Sequence, residues 1–398
     1  MGWTGGSYCS VCQKVLEPRK GIPRLAHTEV EVVTKAATCE EPGNALVYCS
    51  SCKRILTDEK EIPATGHSWD EGKITKYPTA TEVGERTYTC KSCGSTRTEA
   101  IDKDNSVRAS GYNGSISWIL YKDGKLVFKG DGAILNRSDT LEPWNSYKNY
   151  IFEVSVEDGI TEIGESAFSG WNNIEKVAIS ENVTDIGSYA FYDCTSLEDV
   201  SLSEGLERIL IRVFENCSNL TEIVFPESVT KIGGGVFRGC SKLKKAELPQ
   251  GISEIGDNTF NRCRNLKSVT LPDNVTYIGN QAFCGCENLT ELTLPKNLKK
   301  LGENTFWDCK KITSITIPEG VTTLPEYLFN TCESLKTVTI PETVTEIDQR
   351  AFQNCSSLTG IELPSGIINI KEGTFFSCAA LKEIVIPENV RNIGDNAF

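Results

Sequence analysis

From residue 151 onward the apolar positions obey one rule that returns every 23 residues. In the coil from Pro272 to Leu294, Leu289-x-x-Leu292-x-Leu294 has the alternation of a half-buried strand, and Val275-x-x-Ile278 marks a second short extended piece. Gly279 turns the chain after that piece. Ala282, Phe283 and Cys286 then have the spacing of one helical or 3₁₀ turn on the outer side. Written out, the coil reads P-x-x-V-T-x-I-G-x-x-A-F-x-x-C-x-x-L-x-x-V-x-I. Phenylalanine keeps the beat without a slip at 168, 191, 214, 237, 260, 283, 306, 329, 352, 375 and 398, and proline and cysteine keep it beside it. So strict a period means one unit stacked on itself, with successive strands pairing in parallel at roughly 4.8 Å and about 50 Å of ladder over ten coils.

Two further segments precede the array. Residues 1–101 carry a longer period: Cys9-x-x-Cys12 returns as Cys49-x-x-Cys52 forty residues on, and as Cys90-x-x-Cys93 after forty-one more. His27 and His67 each follow the second Cys of a pair by fifteen residues. The Thr, Val and Tyr-rich stretches 44–48 and 85–89 read as short strands. Units this small bury too little apolar surface to stand without a staple. Residues 102–150 belong to neither period; 115–121 and 125–129 alternate around Asp123-Gly124, a hairpin signal, and Pro143-Trp144 follows. Their expected role is a β-hairpin cap over the first coil, leaving 151–398 as ten full coils plus a partial one.

Some coils depart from the rule. Leu210, Pro325, Asp348 and Lys371 replace the turn Gly, while Val213, Val236, Thr259, Thr305 and Thr374 replace the Ala; the Phe never changes. The sequence stops at Ala397-Phe398, halfway through a coil, and the Cys that would match Cys39 in the first small unit would precede Met1. The expectation is a fragment of a longer protein, either monomeric or weakly self-associating through an uncapped last coil that frays from about residue 387.

The coil resembles the treponemal-type, or BspA-like, leucine-rich repeat, because Ile-Gly, Ala-Phe and Cys return together at fixed offsets across 151–398. The hairpin with Pro143-Trp144 is similar to the region that precedes such arrays. The units containing Thr38-Cys39, Cys49-x-x-Cys52 and Gly66-His67 are similar to modules attached to surface proteins of anaerobic gut bacteria. The resemblance implies a right-handed leucine-rich repeat solenoid in a secreted or wall-attached bacterial protein that binds host or microbial surface or matrix proteins.

Seventeen cysteines would suggest a disulfide scaffold, but nine lie on the 23-residue beat, Cys284 lies off it and seven precede residue 94. The nine occupy an apolar slot, filled by Trp171 in the first coil, where a reduced thiol behaves as a small buried hydrophobe. Among the others, Cys39, Cys49, Cys52 and His67 form the sharpest constellation. Three sulfurs and one imidazole complete a closed tetrahedral zinc site, and a two-residue gap lets both thiolates reach one metal. The first copy keeps Cys9, Cys12 and His27, an incomplete set. In the third, Ala80 stands in place of Cys39 and no His follows Cys93, so that copy is expected to lack metal. Disulfide pairing, which an oxidising extracellular setting favours, and free thiols are the competing states, although a disulfide scheme gives histidine no task.

A net charge of −13 argues against nucleic acid or an anionic membrane as partner, and no apolar run is long enough to span a bilayer. With only two histidines, both inside the Cys units, no nucleophilic triad can be assembled in the array, so no enzyme is expected. Binding would fall to the exposed mid-strand row Ala178, Ser201, Val224, Glu247, Thr270, Thr293, Thr316, Thr339, Glu362 and Val385, a polar, shallow strip with no aromatic platform. Tyr189, Tyr192, Tyr277, Trp307, Tyr327 and Phe376 lie instead beside the turn. The rival roles are a structural spacer or stalk, or the accessory region of a larger wall-associated protein or enzyme.

Overall fold

A computed structural model of the chain describes residues 2, 3, 5–22, 26–78, 82–104, 106–135 and 142–398. The chain forms two compact units, residues 1–76 with 83–102 and residues 77–82 with 103–398. In the first, strands Glu29–Lys35, Gly43–Cys49 and Ile55–Ile62 form an antiparallel meander whose middle strand buries every second residue, Gly43, Ala45, Val47 and Cys49. Strands Lys73–Lys76, Gly84–Thr89 and Thr96–Ile101 repeat the meander. Before them, Ser7–Tyr8 pairs with Val15–Glu17.

In the second unit the Asp123-Gly124 hairpin forms as predicted, with Ile116–Tyr121 antiparallel to Lys125–Gly130 and Leu120 opposite Leu126. Its outer strand then pairs in parallel with Glu153–Val156, and the ladder continues through Lys176–Ile179 and Asp199–Ser201, so hairpin and coils share one sheet. Trp144 and Phe128 are buried here, their rings 4.9 Å apart, and Phe128 lies 5.8 Å from Phe168, closing the apolar face of the first coil. Among the described residues the one helical element is the 3₁₀ helix Pro143–Tyr150, entered at its proline.

Most coils contribute to two parallel ladders in a register of 23, as in Val177 opposite Val200 and Ile186 opposite Ile209; the strands of the first ladder end at Thr337–Thr339 and those of the second at Asn392–Ile393. Between them the phenylalanines stack, with consecutive ring centroids 5.3 to 5.9 Å apart from Phe168 to Phe398. All but Phe398 are buried. Phe283→Ala would open a cavity between two rings that cannot close in without moving both neighbouring coils. It is expected to cost about 3–5 kcal/mol, read from denaturant unfolding. Phe398→Ala, at a ring 52% exposed with one stacking neighbour, should cost much less.

On the outer side, where one helical or 3₁₀ turn is expected, the chain makes successive tight turns with three-residue hydrogen bonds rather than a continuous helix. Backbone φ is positive two residues before and two after the Phe in each coil, from Ser166 and Gly170 to Gly373 and Ser377. Alternate N–H groups therefore point in different directions. Ala190, Tyr192 and Cys194 donate three residues back, to Gly187, Tyr189 and Phe191, whereas Tyr189, Phe191 and Asp193 donate to Ile211, Val213 and Glu215 of the next coil at 2.8–3.0 Å. A helix would turn every N–H along its own axis and leave none for the neighbour. The position two residues after the Phe is mostly Gly, Asn or Asp, the residues that tolerate left-handed backbone. Gly279 has another purpose: a Cβ there would lie 2.6 Å from the backbone N of Asp257, so the glycine permits close approach of coils.

The nine ladder thiols are buried and free. Each donates to the carbonyl of the Phe 26 residues earlier, at 3.1–3.2 Å from Cys194 to Phe168 through to Cys378 to Phe352. Valine would fill the space but could not make that bond, which gives the position its cysteine. Burial pushes Cys194 and Cys378 up to about 12 and the other seven upward as well.

Candidate metal centre and exposed ladder

The three Cys-x-x-Cys pairs occupy the same turn. The N–H of Gln13, Lys53 and Gly94 donates back to the carbonyl of Cys9, Cys49 and Cys90 at 2.8–2.9 Å, with φ of 56°, 62° and 75° at those residues. This knuckle turns both thiols of a pair toward one point, and it sits between the last two strands of each small sheet.

Around those pairs the structure assembles two clusters, Cys39, His67, Cys90 and Cys93, and His27, Cys49 and Cys52, with the candidate ligand atoms of each within 4.8 Å of one another. In the first, Cys39 Sγ lies 3.8 Å from Cys90 Sγ and Cys93 Sγ lies 3.4 Å from His67 Nδ1. In the second, Cys52 Sγ lies 3.4 Å from His27 Nδ1. A tetrahedron with Zn–S bonds of about 2.3 Å and Zn–N bonds of about 2.0 Å has S···S edges of about 3.8 Å and S···N edges of about 3.5 Å. A disulfide would need sulfurs about 2.05 Å apart. Glu40 Oε1 stands 3.3 Å from His67 Nε2, the carboxylate that directs Nδ1 toward the sulfurs.

In the absence of an ion, at least one thiol of each cluster is shifted toward the thiolate that a metal binds, and Cys39 and His67 are shifted toward their protonated forms. Against the cost of burial, the N–H groups of Ser92 and Cys93 and the His67 ring bring the Cys90 thiol down to about 5. The N–H of Cys52 and the His27 ring bring Cys49 to about 6. Hydrogen bonds to Cys90 and Cys93 raise His67. Burial, with the crowding of Cys93 and Cys90, raises Cys39 to about 11. The residues can hold a soft divalent cation in a closed S₃N shell, which supports structure rather than leaving a position open for a reacting water.

The four residues predicted to share one site are thus divided. Cys39 and His67 stand with Cys90 and Cys93, and Cys49 and Cys52 stand with His27. The third copy, expected to lack metal, contributes a pair to the four-membered cluster. Cys9 and Cys12 join no cluster among the described residues, and Ala80 lies outside the described residues. The period alone could not decide this, because His67 follows one pair by fifteen residues and precedes the next by twenty-three. The contact that decides it is invisible in composition: an isolated bridge between Trp69 and Cys90 carries His67 to the later pair.

In the array, the predicted mid-strand row is exposed from Ala178 to Val385, and Val224 and Val385 stand out at 75% and 85% exposure. Shallow depressions of roughly 300, 620 and 710 Å³ run along it, lined by Val224, Glu247 and Thr270, by Thr293, Thr316 and Thr339, and by Thr339, Glu362 and Val385. Four of the six aromatics beside the turn are engaged between coils: Trp307 stacks on Tyr327 at 6.1 Å, and Arg212, Lys300 and Arg350 lie over Tyr189, Tyr277 and Tyr327, while Tyr192 packs on Tyr189 of its own coil and Phe376 is exposed. No helix among the described residues is long and apolar enough to cross a membrane.

Overlapping matches to the model of the BspA type leucine-rich repeat region (6 copies) run together from residue 145 to 398. Among solved structures, the chain is similar to a leucine-rich cell surface protein from Faecalibacterium prausnitzii, at 28% identity over 74% of this chain and 86% of that one, with a TM-score of 0.47. A leucine-rich repeat protein from Eubacterium ventriosum matches at 26% identity over 72% and 92%, with a TM-score of 0.45. One from Bacteroides ovatus matches at 23% over 75% and 91%, with a TM-score of 0.41.

Proposed function

Because the chain belongs to the BspA-type leucine-rich repeat family, we propose that its solenoid is a non-catalytic, adhesin-type binding surface for host or microbial proteins, displayed outside a bacterial cell as a secreted or wall-attached protein. The small modules ahead of it are structural zinc units. The observation that carries the reading is the row of exposed side chains along the first ladder, with open depressions beside it. Such a face is long, shallow and polar, which suits a protein surface better than a small molecule. Both histidines are taken up by the Cys clusters, leaving the array no imidazole for acid–base work.

Replacing Thr293 and Thr339 by Arg, in alternate coils, would alter this row without touching the core. On a panel of surface and matrix proteins, the full chain should retain a partner at moderate salt. The double variant should lose at least about tenfold in affinity while its unfolding curve stays unchanged. Retention by neither protein across the panel would sink the adhesin reading in favour of a spacer.

A further inference from the structure

We propose that the centre built from Cys39, His67, Cys90 and Cys93 is a clasp in which one zinc ion joins two consecutive modules. The inference rests on the zinc reading above. Each meander supplies three ligands at one of its ends: a His ahead of its first strand and a Cys pair in its second turn, namely His27, Cys49 and Cys52, and His67, Cys90 and Cys93. Cys39 lies in the first turn of the earlier meander, between Glu29–Lys35 and Gly43–Cys49. In a three-stranded meander the first and second turns lie at opposite ends, and a seven-residue strand separates them by about 20 Å. Cys39 therefore cannot reach the trio of its own module, and it is free to complete the next.

The local hydrogen bonds hold it there. The N–H groups of Thr65 and Gly66 donate to the carbonyls of Thr38 and Cys39 at 2.9 and 3.1 Å, and Thr65 Oγ1 donates to Thr38 at 3.2 Å. Glu40, the next residue, faces His67. The loop that carries Cys39 is thus fastened to the segment that carries His67, and the thiol becomes the fourth ligand.

The rule that follows is that a Cys in the first turn of one module belongs to the trio of the next. It explains Ala80. That position is the match to Cys39 in the last module, and beyond Ile101 the sequence has no further histidine and no cysteine before Cys194. A thiol at 80 would have no trio to complete, so the cysteine is missing where no module follows, and not because the third copy has lost its metal.

The test uses the full chain loaded with zinc. Cys39→Ser should weaken, by at least about tenfold in chelator competition, the ion that Cys90→Ser releases. It should also speed hydrogen exchange at Thr65 and Gly66. Cys49→Ser should leave that ion and those amides unchanged, and Cys39→His, which restores a ligand, should recover both. If Cys39→Ser instead weakens the ion lost in Cys49→Ser, the clasp is overturned. If zinc stays bound and Cys39→Ser changes neither readout, the clasp fails while the zinc reading survives. A wild-type protein that holds no zinc would remove the reading and the clasp together.

Discussion

Raising the pH from 9 to 11 is expected to unfold the solenoid. The nine ladder thiols are held above their ordinary value near 9 by burial, to about 12 at Cys194 and Cys378 and upward at the rest. Below pH 9 folded and unfolded chains both keep these protons, and the stability is fully present. Above it the unfolded chain releases them while the folded one cannot, so stability falls by about 1.4 kcal/mol per thiol for each pH unit. For nine thiols released together that approaches about 12 kcal/mol per unit, comparable to the entire stability of an ordinary domain. Denaturant unfolding measured at several pH values gives the protons released directly from the slope. Roughly eight are expected at pH 10, and fewer than two would show that the thiols are not shielded as described.

The second large effect concerns the first unit alone. Apparent stabilisation by structural zinc runs to about 10–16 kcal/mol, and these small sheets have little core beyond Ala45, Val47, Cys49 and Cys90. Chelation should therefore abolish protection from hydrogen exchange across 29–62 and 73–101 while leaving 151–398 as protected as before. Acid should act like chelator, since the ligands bind only as thiolate and neutral imidazole and protons compete with the metal for them. Sheets that keep their protection without metal would mean that zinc is not their staple.

The array was legible because each coil's environment repeats: once Phe, Cys and the strand pattern return at a fixed offset, translation along one axis reproduces core, ladders and exposed row alike. Two features escaped. The spacing of Ala282, Phe283 and Cys286 fits a helical turn, a 3₁₀ turn and a run of tight turns alike, and the signal that separates them is Gly, Asn or Asp two residues past the Phe, as at Asn216, Gly239 and Asp308. The ligand sets escaped for a different reason. A periodic sequence states which residues are equivalent but not which copy they face, so Cys39 and His67 were grouped with the nearest pair rather than with the pair that the meander topology places beside them.

The alternating outer turns have a consequence for how such a chain can change. Coils are joined along three seams: the two strand ladders, which run in segments, and the outer row seen from Tyr189, Phe191 and Asp193 to Ile211, Val213 and Glu215. Loss or gain of a single residue shifts at least one seam against the others. Duplication or removal of 23 residues shifts none. The length of the array is thus the one property free to vary in whole steps, and reach can be adjusted by copying coils while the chemistry of each stays fixed.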